Sequence, residues 1–213
     1  MRVAILDSHL NILTRESVPT GLDSSPDDSC RLMIQMIDAN SNQVGRDSLL
    51  GVGISAPSVD KRIGSLINPP NLPNWDGYSI SEFVKCQLGL PVVIGNDASL
   101  AALGEHRLGA GDGVENMLYY TISTGIGGGI IIDGRLYEGK KGFAGELGHI
   151  TVEPEGRICN CGNRGCLELY ASGPSIVREV TEARKNGRAT SLFCDVTVST
   201  EAVFKASSAG DRL

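Results

Sequence analysis

Between Gly145 and Glu168 the chain reads GELGHITVEPEGRICNCGNRGCLE, and this stretch restricts the possible folds more than any other. It holds His149, Cys159, Cys161 and Cys166, from a total of three histidines and six cysteines in 213 residues. A disulfide framework fits poorly. Cys159 and Cys161 have one residue between them and cannot easily bridge each other, and three thiols leave one over. Three thiolates and one imidazole do complete a tetrahedral Cys₃His shell for zinc, a closed coordination sphere with no open position for water. Gly156, Gly162 and Gly165 permit the tight backbone that aims four ligands inward. The competing reading is three buried free thiols and a surface histidine. The spacing predicts structural Zn²⁺ on His149, Cys159, Cys161 and Cys166, and it leaves Glu146 and Glu168 at either end without an assignment.

Composition removes several classes of function. A hydrophobic fraction of 41% and a charged fraction of 21% describe an ordinary globular domain able to bury a core. The net charge of −6, with no run of Lys or Arg, argues against a nucleic-acid partner. No apolar stretch is long enough to span a membrane, so no membrane partner is expected. MRVAILDSHLNIL lacks the layout of a secretory signal, because Asp7 and His9 interrupt a short apolar run. Free thiols and a thiolate metal site suit a reducing compartment, which points to the cytoplasm.

Periodicity predicts an α/β chain in two lobes, 1–108 and 109–213. VAIL and NILTRESVP form a hairpin around Asp7-Ser8-His9, and SPDDSCRLMIQMIDAN a helix with acids at its N-terminal end. The apolar runs Leu49–Pro57 and Pro91–Asp97 read as buried strands, separated by the helix ISEFVKCQLG and followed by the helix ASLAALGEHRLG. This alternation implies a mostly parallel sheet flanked by helices. After Gly109, MLYYTIS and GIIIDGRLYEG form two strands around TGIGGG, with an Asp-Gly turn in the second. LELYASGPSIVREVTEARKNG is helical on both sides of a break at Gly173-Pro174, and STEAVFKASSAG adds a short helix. Cys30, Cys86 and Cys194 are expected as small core residues.

Two further groups of residues carry potential chemistry, and each has two readings. Asp97 ends the strand PVVIGND, where α/β sheets bind ligands, and could take a proton from a substrate hydroxyl. Equally, it could cap the helix that follows. The glycines of TGIGGG (Thr124–Gly129) could bring backbone amides to an anion, or simply form a tight hairpin.

Taken together, strand-NDA, β-TGIGGG-β, GELGH and CxCGxxGCLE, in this order and at these intervals, resemble the ROK family (repressors, open reading frames and kinases). The resemblance covers the whole chain and is most specific in the cysteine-rich segment with its preceding ExGH. It implies an actin-like ATPase fold (RNase H-like, hexokinase-type), two-lobed and here incomplete at both ends. The implied activity is ATP-dependent phosphorylation of a hexose, of the glucose or N-acetylmannosamine type, at its primary hydroxyl. Asp97 is implied as the general base. Asn71, Asn96, Asp97, Glu146, His149 and Glu168 are implied as sugar contacts, and Thr124, Gly125, Gly127 and Gly128 as part of the Mg-ATP phosphate site. A homodimer or tetramer is implied as well.

On this reading zinc performs no chemistry and instead fixes the segments after Glu146 and before Glu168. The family's alternative role is a sugar-binding repressor or sensor without turnover. Two positions depart from the family pattern: Pro57-Ser58 stands in place of proline-glycine, and NDAS in place of NDAN.

Overall fold

The computed structural model describes residues 1–20, 24–69, 72–188 and 198–211. The chain forms two compact units: Met1–Leu100 with Gly139–Phe143, and Ala101–Glu138 with Ala144–Leu213. A break at Gly109 was expected. The division instead falls within a helix, and a short later segment returns to the first unit.

In the first unit, β1 (Arg2–Leu6) and β2 (Ile12–Ser17) pair antiparallel, with Arg2 opposite Ser17. Asp7 organises the connection, because its Oδ1 accepts from the amides of His9 (2.8 Å) and Asn11 (2.9 Å). Helix α1 (Pro26–Ser41) is capped by Ser25, whose Oγ accepts from the Asp28 amide at 3.1 Å. Pro26 and the acids Asp27 and Asp28 occupy its first turn, where fixed φ and negative charge both favour a helix start. Strands β3 (Val52–Ala56), β4 (Val59–Asp60) and β5 (Ser65–Leu66) follow, then α2 (Ile80–Leu88), closed by Gly89 at φ +68°. Strand β6 (Val92–Asn96) runs parallel to β3 with Val52 opposite Val92, and leads into α3 (Asp97–Leu108). The core gathers Cys30, Ile54, Val59, Leu66, Trp75 and Val84.

Three expectations are corrected in this unit. Strands β3 and β6 are half-buried rather than buried: Ile54 and Ile94 face the core, whereas Val93 is 72% exposed. Among the described residues no single mostly parallel sheet forms, since β1–β2 and β3–β6 are separate two-stranded sheets. Cys30 is buried as expected, but Cys86 is exposed, and Cys194 lies outside the described residues.

The second unit contains the antiparallel sheet β7 (Met117–Ile122), β8 (Ile126–Ile132) and β9 (Arg135–Leu136), in that order. The turn between β8 and β9 is Asp133-Gly134, at φ +50° and +70°, the left-handed pair that a two-residue hairpin needs. A 3₁₀ turn at Leu147–His149 precedes α4 (Glu168–Ala171), α5 (Gly173–Lys185) and α6 (Thr200–Ser208). The helix break falls at Ser172, one residue before the expected Gly173-Pro174. Pro174 lies in the first turn of α5, where its missing N–H costs nothing.

Ser58, in the first unit, adopts φ +51°. A left-handed conformation costs an L-residue ~1–2 kcal/mol, and a glycine would avoid that strain while losing ~0.4–1 kcal/mol through its freer unfolded state. S58G should therefore raise the urea midpoint at unchanged m-value. A lower midpoint would show that the serine side chain makes a stabilising contact there.

Candidate functional site

In the first unit the end of β6 separates two roles that the sequence left merged. The Oδ1 of Asn96 accepts from the amides of Ala98 (3.0 Å) and Ser99 (3.2 Å), so Asn96 supplies the side-chain cap of α3. Asp97 is exposed, and its Oδ1 accepts only from the adjacent Ala98 amide at 2.8 Å. Its second carboxylate oxygen, Oδ2, has no hydrogen bond among the described residues.

In the second unit the β7–β8 connection is a tight hairpin. Ser123, Thr124 and Gly125 form the turn, closed by the Ser123 amide donating to the Gly125 carbonyl at 2.9 Å. Gly127 and Gly128 therefore lie in β8 and not in a loop. Gly128 is buried, and a Cβ there would collide with Leu147 Cδ1 and the Tyr119 carbonyl oxygen. Packing of the Leu147–His149 turn across the strand accounts for a glycine at this position.

That same turn carries Glu146 and His149. Gly148 lies so close to the Ile126 carbonyl oxygen that no side chain fits. Glu168, at the start of α4, reaches back to the hairpin: its Oε2 accepts from the Ile126 amide at 2.7 Å and occupies the space where a Cβ on Gly125 would lie. The Gly173 amide donates to the Ser123 carbonyl at 2.9 Å and pins the hairpin from its other side.

His149, Cys159, Cys161 and Cys166 meet at one point, with their ligand atoms within 4.8 Å of one another. The Cys161 and Cys166 sulfurs are 3.7 Å apart, as are the Cys159 sulfur and His149 Nδ1. A zinc–sulfur bond of ~2.3 Å in a tetrahedron places neighbouring sulfurs ~3.8 Å apart, so the four groups fit the ion. Backbone bonds set these positions. The Cys159 amide donates to Asn163 (2.8 Å), the Gly162 amide to Cys159 (2.9 Å), and the Leu167 amide to Ile150 (3.0 Å).

With Nδ1 turned to the thiols, His149 Nε2 lies 3.9 Å from Glu146 Oε2. Burial pushes the Cys166 thiol up to about 12, and the thiols of Cys161 and Cys159 act in the same direction. At Cys161 burial also opposes ionisation, but hydrogen bonds involving Asn163, Cys159 and Cys166 outweigh it and hold this thiol below its ordinary value. Thiols this close resist ionising together, and a bound divalent cation reverses that preference.

The structure thus brings Glu146, His149, Glu168 and the cysteines onto one scaffold in the second unit, with Thr124 and Gly125 on the hairpin beside Glu168. Asn96 and Asp97 stand together in the first unit. Asn71 lies outside the described residues. Sequence reasoning missed Asn163, whose Nδ2 donates to the His149 carbonyl (3.3 Å) and Thr151 Oγ1 (3.0 Å). It also missed the bond from the Ile126 amide to the Glu168 carboxylate, a backbone-to-side-chain contact across 42 residues for which no sequence signal exists.

Residues 1–209 match the ROK family. The chain belongs to the ROK family. A glucokinase from Halalkalibacterium halodurans is 35% identical over 222 aligned positions, covering 99% of this chain and 66% of the glucokinase. The structure of a ROK glucokinase from Streptomyces griseus, in complex with glucose and AMPPNP, superposes with a TM-score of 0.74 at 34% identity, over 98% of this chain and 67% of that one. A ROK transcriptional regulator, homologous to the E. coli MLC protein, superposes with a TM-score of 0.86 at 29% identity, over 99% of this chain and 53% of the regulator. The chain therefore spans between 53% and 67% of these ROK relatives. Its fold is the actin-like ATPase fold of the ROK hexokinases. Among the described residues no helix is long and apolar enough to cross a membrane.

The packing of the turn on β8 gives a direct test. In Gly148→Ala the new methyl meets the Ile126 backbone oxygen, an atom that cannot swing away as a side chain does. The variant should lose ~1–3 kcal/mol in urea unfolding. Parent-like stability would show that the turn is not seated on β8 in solution.

Proposed function

We propose that this chain carries the hexose site of an ATP-dependent sugar kinase of the glucokinase type, acting on a glucose-like or N-acetylmannosamine-like hexose at its primary hydroxyl. The observation that carries the reading is the exposed Asp97 carboxylate at the end of β6, with helix capping supplied by Asn96. A carboxylate that the fold does not consume can accept the proton of an attacking hydroxyl. Phosphoryl transfer depends mainly on positioning and charge stabilisation, so one base with well-held hydroxyl contacts suffices on the sugar side.

Glu146, His149 and Glu168 accept or donate hydrogen bonds to the other hydroxyls, and Asn96 adds an amide. Ionised carboxylates are acceptors only, which suits a polyol. Glu168 keeps one oxygen on the Ile126 amide, leaving the other for a sugar hydroxyl. Thr124 and Gly125, at the exposed hairpin tip, approach the phosphates of Mg-ATP, the donor of the transferred group. Gly127 and Gly128, in β8, complete the same phosphate site, and Gly128 also lets the Leu147–His149 turn pack on the strand. Structural Zn²⁺ is held by His149 Nδ1, Cys159, Cys161 and Cys166 and holds Glu146 and Glu168 in register.

The close superposition on a transcriptional regulator supports a second reading, hexose binding without turnover. Calorimetry with glucose and with N-acetylmannosamine, beside a coupled ADP assay, separates the two. Hexose binding with Mg-ATP-dependent ADP release supports the kinase, whereas binding alone supports the sensor. Asp97→Asn should lower kcat by ~10²–10⁴ while hexose affinity stays near that of the parent. Near-normal turnover in this variant would remove Asp97 from the chemistry.

Metal analysis of protein purified without chelators should find one zinc per chain. Chelation or Cys161→Ser should lower the urea midpoint, because metal affinity is coupled to folding of the segment. Acidification should release the metal, since protons compete for thiolate and imidazole ligands. Zinc-free protein of unchanged stability would overturn the assignment.

A further inference from the structure

Helix α5 begins at a serine that does not cap it. Ser172 occupies the N-cap position, at φ −72° and ψ 160°, where a serine ordinarily accepts from an amide of the first turn. Its side chain makes no such bond, and the second helical residue, Pro174, has no N–H to give. The Ser172 hydroxyl lies instead 2.9 Å from the Ser175 hydroxyl, and both residues are buried. The next contact sets the direction of this pair. Ser175 Oγ donates to the Glu168 carbonyl at 3.0 Å, and a carbonyl can only accept. A hydroxyl has one proton, so Ser172 donates to Ser175. Two buried hydroxyls thus end on the main chain of Glu168, whose carbonyl also accepts from the Ser172 amide at 3.2 Å.

The same turn of α5 holds the other side of the Glu168 contact. The Gly173 amide donates to the Ser123 carbonyl at 2.9 Å, and Ser123 belongs to the hairpin whose Ile126 amide meets Glu168 Oε2 at 2.7 Å. Thr200 Oγ1, from α6, donates to the Gly173 carbonyl at 3.3 Å. Donor and acceptor of the Ile126–Glu168 bond are therefore both referred to the first turn of α5. Helix α4 itself has only four residues, Glu168–Ala171. So short a helix is marginal without outside support, and an external anchor decides how its first residue is oriented.

We infer that Ser175 is a positioning residue of the hexose site, acting through the Glu168 main chain to fix how the Glu168 carboxylate presents its second oxygen. Ser172 holds the Ser175 hydroxyl in the required orientation by donating to it. Both hydroxyls are buried, so their effect on a sugar passes through Glu168 and involves no contact of their own. The inference rests on the reading of Glu168 as a hexose contact.

Hexose calorimetry and amide exchange at Ile126 test this on the 213-residue chain. In Ser175→Ala the Ile126 amide should exchange roughly tenfold faster relative to the other β8 amides. The Kd for glucose or N-acetylmannosamine, whichever the parent binds, should weaken roughly tenfold. Where turnover is measured, KM should rise with Kd while kcat stays within about twofold, because a contact to a non-reacting hydroxyl is made equally in the ground and transition states. Ser172→Ala removes only the donor to Ser175 and should give the same changes to a smaller degree. Val180→Ala opens a cavity in the same helix and should lower the urea midpoint, yet leave relative Ile126 exchange and hexose affinity at parent values. If Val180→Ala reproduces the effects of Ser175→Ala, they arise from helix stability alone and the inference is overturned. It is also overturned if a hexose-binding parent keeps its affinity in Ser175→Ala. A parent that binds neither hexose would remove the functional reading, and Ile126 exchange then decides whether Ser175 positions Glu168: acceleration in Ser175→Ala supports it, and parent-like exchange overturns it.

Discussion

The carbonyl of Ile126 has Gly148 pressed against it, and the amide of the same residue donates to Glu168. Much of the second unit follows from those two contacts on one peptide. Seating Gly148 fixes the Leu147–His149 turn, which sets the His149 ring 3.7 Å from the Cys159 sulfur. Cys166 pairs with Thr151 through a β-bridge, and two residues later the chain reaches Glu168, whose carboxylate returns to Ile126. The path is a closed loop of short contacts. Moving any one member shifts the others, and both Glu146 and Glu168 belong to it. Carboxylates held in this way have already lost the conformational entropy that flexible ones would lose on meeting a ligand.

The cysteine cluster adds a charge condition to that geometric one. Without a cation, burial and the neighbouring thiols hold Cys166 protonated, whereas hydrogen bonds hold Cys161 below its ordinary value. A divalent metal reverses the preference and turns mutual repulsion into shared attraction. Because Cys166 is bridged to Thr151 and followed directly by the turn into α4, the ionisation state of the cluster is mechanically linked to the position of Glu168. His149 serves this linkage from both sides of its ring, with Nδ1 at the thiols and Nε2 towards Glu146.

What could be read from sequence was local. The acidic start of α1, the Asp133-Gly134 turn and the convergence of the four Cys/His side chains depend on residues near one another in the chain, where composition and spacing carry the information. What could not be read was the reason for the glycines. TGIGGG is open to an anion nest as well as to a hairpin, and only the Leu147–His149 turn across β8 explains Gly128, from a segment some twenty residues downstream. The apolar runs around Ile54 and Ile94 have a related difficulty. A continuous hydrophobic strand states that both faces can be buried, but not which neighbours do so, and Val93 is exposed here. Cys86 was misplaced because a cysteine in a short helix has no periodicity of its own to assign its face.

The pair Asn96-Asp97 illustrates how a fold can keep a charge available at a crowded position. A helix start needs a side-chain acceptor for its first amides, and either residue could provide it. If Asp97 did so, its carboxylate would be stabilised as an anion by the helix terminus and engaged by two donors, which weakens it as a base. With Asn96 accepting from Ala98 and Ser99, that demand is met by a neutral amide. Asp97 then accepts only from the Ala98 amide through Oδ1, and its Oδ2 stays outside the cap. Asparagine before aspartate at the end of such a strand is therefore a division of labour: the first residue satisfies the backbone, and the second remains chemically available.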